Sequence, residues 1–142
     1  MNDNTDRSIA VDFDGTVVEF AYPAIGKPVP GAIESLRFLQ EKGIRLILWT
    51  CRTGKHLDEA VEYMAYHAGI ALHGVNGRPE EPGWPNGPKI FATCYVDDAA
   101  CGCPHRPASE GFRPVVDWRQ VMFHLEDVFP GEGIFAFATT LP

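Results

Sequence analysis

Short, almost continuously apolar segments alternate with amphipathic segments along much of the chain. An apolar run of about six residues is typical of a strand buried on both faces. Four such strands are expected: 8–13, 44–49, 70–75 and 91–96. Segments with apolar residues on a single helical face indicate helices packed on a core. Three of these are expected: 32–42, 57–68 and 117–128.

Strands that alternate with helices predict right-handed crossovers and a mainly parallel sheet. The expected fold is α/β, a small doubly wound, Rossmann-like sheet with helices on both faces. Segments 20–31 and 76–89 are rich in Pro and Gly and are expected to be an irregular flap and a loop. The apolar tail after Pro130 is expected to be either an edge strand or an association surface.

The size and charge of the chain narrow the function classes. Its 142 residues suit one domain, so residues 1–142 are expected to form a single unit. The net charge of −7 disfavours sequence-independent binding along a nucleic-acid backbone or to an anionic membrane. The amino terminus lacks a cationic region followed by an apolar stretch. The four cysteines of the chain are too few for a disulfide scaffold. We therefore expect a cytoplasmic protein with reduced cysteines.

Polar residues follow three of the predicted strands. Asp12 and Asp14 come at the end of the first strand, Thr50 after the second, and Asp97 with Asp98 after the fourth. The carboxyl ends of parallel strands meet at one edge of a sheet, where ligands of such folds bind. Four carboxylates gathered there would repel one another unless a cation joined them. Oxygen ligands without clustered histidines favour Mg²⁺, which leaves room for a phosphate oxygen.

These residue types also suggest how a phosphoryl group is handled. Asp12 is a candidate nucleophile that forms an acyl phosphate, and Asp14 a candidate acid and base for the leaving oxygen and the attacking water. Thr50 is expected to donate its hydroxyl to the phosphoryl group, and Lys89 to supply positive charge. Because Lys89 is eight residues before Asp97, a fully extended chain would place it on the order of 25 Å away. Residues 88–92 must therefore turn back.

Further polar residues near the second strand extend the candidate substrate site. Cys51 and Arg52 directly follow Thr50 and are expected to contact the substrate with it. Arg52, Lys55 and Arg78 lie in segments able to flank the same edge and hold a polyanionic ligand, although surface solubility is an equally good interpretation.

Four motifs in order resemble a known family. They are DFDGT at 12–16, an apolar strand ending in Thr50, Lys89, and YVDD at 95–98. Together they resemble the motifs of haloacid dehalogenase (HAD) superfamily phosphatases over residues 8–98, and the helix at 117–128 would complete that fold. The resemblance implies Mg²⁺-dependent hydrolysis of phosphomonoesters, because an Asp at position 14 is not found in superfamily members that cleave carbon–halogen bonds or pump ions.

The resemblance also implies residue roles. Asp12 corresponds to the aspartyl nucleophile and a direct Mg²⁺ ligand. Asp14 corresponds to the acid and base, and its backbone carbonyl also binds the metal. Asp97 corresponds to the remaining protein ligand, with Asp98 helping directly or through water.

Neither the flap nor the loop at 76–89 is long enough for the separate cap domain that many relatives carry. The implied site is therefore comparatively open. Relatives of this kind act on phosphates at the ends of large molecules or use a neighbouring subunit as a lid. The expected partner is a phosphorylated substrate, a small molecule or a macromolecular end, and a homo-oligomer is possible.

Other interpretations of these motifs remain open. A non-catalytic phosphate-binding domain would use the same residues without turnover. A receiver-like signalling domain also gathers aspartates, a Thr and a Lys on a doubly wound sheet, although its acidic pair belongs to the first strand rather than the last. Cys101, Cys103 and His105 have the close spacing of a zinc loop, but the sequence offers no obvious fourth ligand.

Overall fold

A four-stranded parallel sheet forms the centre of the fold. The structure is a computed structural model that describes residues 6–79 and 88–142. The strands of the sheet are β1 (Ser8–Val11), β2 (Arg45–Leu48), β3 (Gly74–Val75) and β4 (Cys94–Val96). They lie in the order β3-β2-β1-β4, and all three pairings are parallel. The chain moves from β1 outward to β3 and then crosses back to β4 on the other side of β1. The predicted small Rossmann-like α/β fold is therefore confirmed.

Four helices accompany the sheet in the described residues. They are α1 (Ala32–Glu41), α2 (Gly54–Glu62), α3 (Trp118–Val128) and α4 (Ile134–Ala138), and a π-helical segment, Tyr63–His67, continues α2. The strands are shorter than their apolar runs, above all at 70–75, where the strand comprises only Gly74 and Val75. The apolar run therefore predicts the position of a strand but overestimates its length.

The two faces of the sheet have different covers. Alternate residues such as Ile9 and Val11 face a large core built with side chains from all four helices. On the other face, Ala10 and Ile47 pack against Ile90 and Ala92 in a smaller cluster. The described cover on that face is thus an irregular part of the β3–β4 connection rather than a helix, and residues 80–87 of the predicted loop at 76–89 lie outside the described residues.

The apolar tail after Pro130 folds back onto the domain as a helix, so the expectation of an edge strand is wrong. Gly131 and Gly133, with φ of 87° and 79°, turn the chain between α3 and α4. Ile134 and Ala138 are then buried, and the ring of Phe137 stacks on Phe38 of α1 at 4.2 Å. Ile134, Phe137 and Ala138 therefore pack within the chain, whereas Phe135 is exposed.

A small hairpin connects β4 to α3. Its strands, β5 (His105–Arg106) and β6 (Val115–Val116), pair antiparallel. Asp117 then caps α3 by accepting the N–H of Gln120 at 3.1 Å, as its position before an apolar helical face indicates. Residues 107–114, here called the hairpin loop, extend from the hairpin toward the flap.

The flap is fixed at both ends and tied to the hairpin loop. It leaves and returns through backbone bonds from Glu19 N–H to Lys27 and from Val29 N–H to Val17. Glu19 is 5% exposed, and its carboxylate accepts the Ser109 hydroxyl together with three backbone N–H groups from residues 109–111. These bonds lower the pKa of Glu19 to about 2, with the Ser109 hydroxyl the largest cause.

We expect Glu19→Gln to lower the free energy of unfolding by about 2 kcal/mol at pH 7, since an acceptor-only carboxylate becomes an amide facing donors. The lowered pKa gives a pH dependence with a definite sign. The stability that the Glu19 carboxylate contributes is present above its ordinary pKa near 4.5 and is lost as the pH falls toward 2. Urea unfolding from pH 7 to 3 measures this, with exposed Glu62→Gln as control; a constant difference between Glu19→Gln and wild type would contradict the assignment.

Two absences hold for the described residues 6–79 and 88–142. None of their helices is long and apolar enough to cross a membrane. They also form no separate cap domain, because the insertion after β1 is only the flap. The site at the sheet edge is therefore bordered by the flap and the hairpin loop.

Candidate metal and phosphate site

The candidate site lies where the order of the strands reverses. β1 is flanked by β2 on one side and β4 on the other, so the crevice between the carboxyl ends of β1 and β4 is the expected ligand position of such a sheet. The Asp12 N–H continues the β1–β4 pairing to the Val96 carbonyl at 3.0 Å. Because that bond brings the two strand ends side by side, Asp12 meets the acidic pair that follows β4.

Three carboxylates converge at this point. Asp12, Asp97 and Asp98 each offer an oxygen, and these oxygens lie within 4.8 Å of one another. Burial raises the pKa of Asp12 to about 8, and the carboxyl groups of Asp98 and Asp97 add to the rise. Burial also raises the pKa of Asp98. The crowding is electrostatically unfavourable for the protein alone.

The donor set fits a hard divalent cation. Half-buried carboxylate oxygens at this spacing are ligands that Mg²⁺ accepts, and the ion keeps further positions for water or phosphate oxygens. A bound cation would also supply the charge that stabilises the ionised carboxylates. Among the described residues, this trio is the one group of three or more acidic, His or Cys side chains close enough to hold a metal.

Thr16 ties the two acidic strand ends together. Its side chain is fully buried and donates to Asp12 Oδ2 at 2.8 Å, while its oxygen accepts the Asp98 N–H at 3.1 Å. Its carbonyl accepts the indole N–H of Trp118 at 2.7 Å, which anchors the turn to α3. The Thr of the DFDGT motif is thus a positioning residue for both halves of the acidic cluster.

Gly15 gives Asp98 the space that it occupies. Its φ is +87°, and a Cβ at this position would lie 2.4 Å from Asp98 Oδ2. Both the left-handed backbone and the close approach require glycine. The glycine of the motif therefore acts on the carboxylate of another strand as well as on its own turn.

We expect Gly15→Ala to weaken Mg²⁺ binding at least about tenfold, because its methyl group displaces the Asp98 carboxylate. Gly131→Ala is a matched control, since Gly131 has the same φ of +87° but no atom within 4 Å of its added Cβ. Both variants are expected to lose roughly 1–2 kcal/mol of stability from backbone strain. Thermal unfolding with and without Mg²⁺ separates the effects; an equal Mg²⁺ response in the two variants would refute the role of Gly15.

Asp14 points away from the carboxylate trio and pairs with a buried arginine. Both of its oxygens accept from Arg52, at 2.8 Å from Nε and 2.7 Å from Nη2. The Arg52 side chain is 1% exposed and that of Asp14 13%. The metal role of Asp14 through its backbone carbonyl stays a prediction, and Asp14 lines the same cavity as the trio.

Arg52 is fully engaged by the protein. Besides the two bonds to Asp14, it donates to the carbonyls of Pro23 at 3.1 Å, Ala24 at 2.8 Å and His56 at 3.4 Å. These five bonds use all five N–H groups of a guanidinium. The substrate-binding role predicted for Arg52 therefore requires that a ligand replace a protein acceptor. In this structure Arg52 joins the flap to Asp14.

Thr50 and Cys51 line the same cavity as the aspartates. The Thr50 hydroxyl oxygen accepts the backbone N–H of Arg52 at 3.1 Å, so the hydroxyl proton can be donated to a ligand. The Thr50 backbone N–H donates to Asn76 Oδ1 at 2.8 Å. Asn76, which has a φ of 52° and directly follows β3, was not singled out by sequence; its position after a strand end was the available signal.

The predicted basic residues have different locations. Lys89 is exposed, with Nζ 5.2 Å from the centroid of the Tyr95 ring, and the Tyr95 hydroxyl donates to Ile90. Lys89 therefore lies beside Tyr95 of β4 and is not among the residues that line the cavity. Arg78 pairs with Asp6 at 2.7 Å, at the amino end of β1, so its placement at the site edge is wrong.

The cavity also has a rim that the sequence did not reveal. Its volume is about 460 Å³, and Phe20, Tyr22 and Arg113 line it together with the acidic cluster. Phe20 and Tyr22 belong to the flap and Arg113 to the hairpin loop. Aromatic residues in an irregular segment carry no periodic signal, and the 14 residues between Asp98 and Arg113 give no spacing to interpret. Only the fold brings them together.

The cysteine-rich segment does not form a metal site in the described residues. Cys94, Cys101 and Cys103 line a separate cavity between β4 and α3. Burial raises the pKa of Cys94 and of Cys103, which disfavours the thiolate that binds metals. His105 bonds through Nε2 with the Asp98 carbonyl at 2.5 Å instead. This histidine supports the acidic strand end.

Comparison with known proteins gives one informative match. No protein-family model and no curated protein matches the sequence. A solved structure of a conserved protein from Bacteroides thetaiotaomicron matches it with a TM-score of 0.68 and 36% identity. The match covers 87% of this chain and 91% of that protein. The similarity therefore extends over most of both chains.

Proposed function

Because this chain belongs to the same family as the conserved protein from Bacteroides thetaiotaomicron, whose description names no activity, we propose a function from the site itself. We propose that the protein is a Mg²⁺-dependent phosphomonoester hydrolase that acts through an aspartyl phosphate. The observation that carries the proposal is the convergence of three carboxylate oxygens within 4.8 Å beside the Thr50 hydroxyl. This arrangement has the composition of the HAD phosphatase site that the motifs resemble.

In the first step, an Asp12 oxygen attacks the phosphorus of the substrate. A P–O bond to Asp12 forms, the P–O bond to the leaving group breaks, and the leaving oxygen takes a proton. Thr16 donates to one Asp12 oxygen and thereby orients the other. The Thr50 hydroxyl, whose oxygen accepts the Arg52 backbone N–H, would donate its proton to the transferring group.

Asp14 is the proposed proton donor and acceptor. Its two oxygens are held by Arg52, so donation to a leaving group requires that Asp14 carry a proton and release one of these hydrogen bonds. In the second step, Asp14 takes a proton from water as the water attacks phosphorus, and the bond to Asp12 breaks to release inorganic phosphate.

Asp12, Asp97 and Asp98 would hold Mg²⁺. When bound, the ion offsets the negative charge that the substrate brings to this acidic cleft. The protein residues position the reacting groups around it.

The decisive assay is hydrolysis of 4-nitrophenyl phosphate with Mg²⁺ and with excess EDTA. We expect turnover with Mg²⁺, a drop of at least about a hundredfold in EDTA, and recovery when Mg²⁺ is restored. We also expect Mg²⁺ to raise the Tm, because binding to the folded state stabilises it. Undiminished activity in EDTA would overturn the metal-dependent mechanism.

The same experiment separates the alternatives. A non-catalytic phosphate-binding domain would show the Mg²⁺-dependent rise in Tm without turnover. A receiver-like domain would accumulate a stable phosphoryl group on Asp12 from a small phosphodonor, and would not release phosphate catalytically.

A further inference from the structure

Arg113 is a second cation at the proposed site, and its surroundings differ from those of Arg52. Its guanidinium lies 4.2 Å from the centroid of the Phe20 ring, and Nη2 is 3.7 Å from Asp98 Oδ2. The side chain is 44% exposed, and it lines the cavity. At that distance, the contact with Asp98 is a long ion pair rather than a strong hydrogen bond.

The hairpin loop holds Arg113 in place. Glu19 binds residues 109–111 of that loop, and Lys27 pairs with Glu110 at 3.0 Å. The Phe20 ring supports the guanidinium from below. An arginine with a fixed stem and a half-exposed head is preorganised for a ligand, unlike a solvated surface arginine.

Asp98 lies between Arg113 and the proposed nucleophile. One of its carboxylate oxygens lies within 4.8 Å of an Asp12 oxygen, and its Oδ2 lies 3.7 Å from Arg113 Nη2. If Asp98 contributes its charge to a cation shared with Asp12 and Asp97, less of that charge remains for Arg113. The guanidinium then needs another anion at the mouth of the cavity.

The direction of phosphoryl transfer indicates which anion this is. Attack by Asp12 proceeds in line, so the leaving group extends from phosphorus away from Asp12 and toward the cavity mouth. Phe20, Tyr22 and Arg113 line the cavity from the flap and the hairpin loop, and Tyr22 and Arg113 are about half exposed there. A carboxylate or phosphate matches the planar fork of an arginine.

We propose that Arg113 binds a second anionic group on the leaving-group part of the substrate, so that the preferred substrates are phosphomonoesters that carry an additional carboxylate or phosphate. This inference rests on the proposed phosphatase function and specifies its substrate class. Without Arg113, a second anion would approach a chain of net charge −7 beside three carboxylates.

The test compares matched substrates that differ in the second charge. One pair is 4-carboxyphenyl phosphate and 4-carbamoylphenyl phosphate, in which an uncharged amide replaces the carboxylate. The other pair is butane-1,4-diol bisphosphate and butane-1,4-diol monophosphate. We expect wild type to favour the more anionic member of at least one pair by about tenfold or more in kcat/KM. The pair that shows the preference distinguishes a carboxylate from a phosphate as the second group.

Three variants assign that preference to Arg113. Arg113→Gln should reduce it to within about threefold, and Arg113→Lys should retain part of it. Arg119→Gln is the matched control, because Arg119 is also exposed and lies over a Phe ring, at 5.7 Å from Phe123, but is not among the cavity residues. It should keep the full preference.

Three results would overturn the inference. Wild type could lack the preference, the preference could survive in Arg113→Gln, or Arg113→Gln could slow both members equally, which would assign Arg113 to the scissile phosphate. Absence of all hydrolysis would contradict the proposed function instead. In that case, calorimetry with the same substrate pairs in Mg²⁺ would test the second-anion site by binding alone. Tighter binding of the more anionic member, lost in Arg113→Gln, would support the site, and equal binding of the two members would refute it.

Discussion

The Asp12→Asn variant is expected to hydrolyse 4-nitrophenyl phosphate at least about a thousandfold more slowly than wild type. An amide oxygen cannot form the acyl phosphate, and the substitution also removes one of the three carboxylates that would hold the cation. Steady-state kinetics in saturating Mg²⁺ measure the loss. Acid-quench trapping of labelled phosphate on wild type, absent from the variant, would identify the covalent step directly.

The folded protein should tolerate the same substitution. Asp12 is crowded by two other carboxyl groups, so a neutral side chain relieves repulsion in Mg²⁺-free buffer. We therefore expect a Tm at least equal to that of wild type, with a smaller increase on adding Mg²⁺. The matched control is Asp127→Asn, an exposed aspartate near the end of α3, which should retain activity. If Asp12→Asn kept most of its activity, Asp12 could not be the nucleophile.

Arg52→Met is expected to give the largest loss of stability, on the order of 3 kcal/mol. The substitution leaves the Asp14 carboxylate in a largely buried position without its partner. It also removes the donors to the carbonyls of Pro23 and Ala24, so the flap loses its attachment to the sheet edge. Because Tyr22 of that flap lines the cavity, activity should fall as well.

A double-mutant cycle distinguishes the ion pair from general damage. Arg52→Met and Asp14→Asn are measured separately and together by urea unfolding. We expect the double variant to be more stable than the sum of the two losses indicates, by at least about 1 kcal/mol, since the unpaired charge is gone. Lys55→Met, at an exposed neighbouring position, is the control. Additive losses would show that the Asp14–Arg52 pair is not an energetic unit.

The sequence predicted the location of those polar side chains that directly follow a strand. Asp12, Thr50 and Asp97 each come within two residues of a strand end, so the parallel arrangement alone brings them to one edge. Prediction was less successful where an apolar run has two possible structures. The tail after Pro130 has the composition of a strand and forms a helix, because burial against α3 and Phe38 outweighs local β-propensity.

The arginines show why the rest of the site could not be predicted. Arg52 and Asp14 are 38 residues apart, and nothing in either local sequence indicates that the guanidinium is buried and engaged by the protein. Arg78 has the same charge but pairs with Asp6 at the opposite end of the sheet. An irregular segment has no periodic pattern that indicates where a charged side chain lies. Its location depends on contacts with distant parts of the chain.

The sequence by itself determined the order of β1–β4 and α1–α3 and the carboxylates that follow the strands, because burial pattern and strand-end position are local properties. The tertiary structure alone decided what surrounds those carboxylates: the Thr16 bridge to Asp98, the flap attached through Arg52, and the hairpin loop bound by Glu19 across 90 residues. Such contacts depend on where irregular segments meet, and this is set by packing of the whole domain rather than by any local pattern.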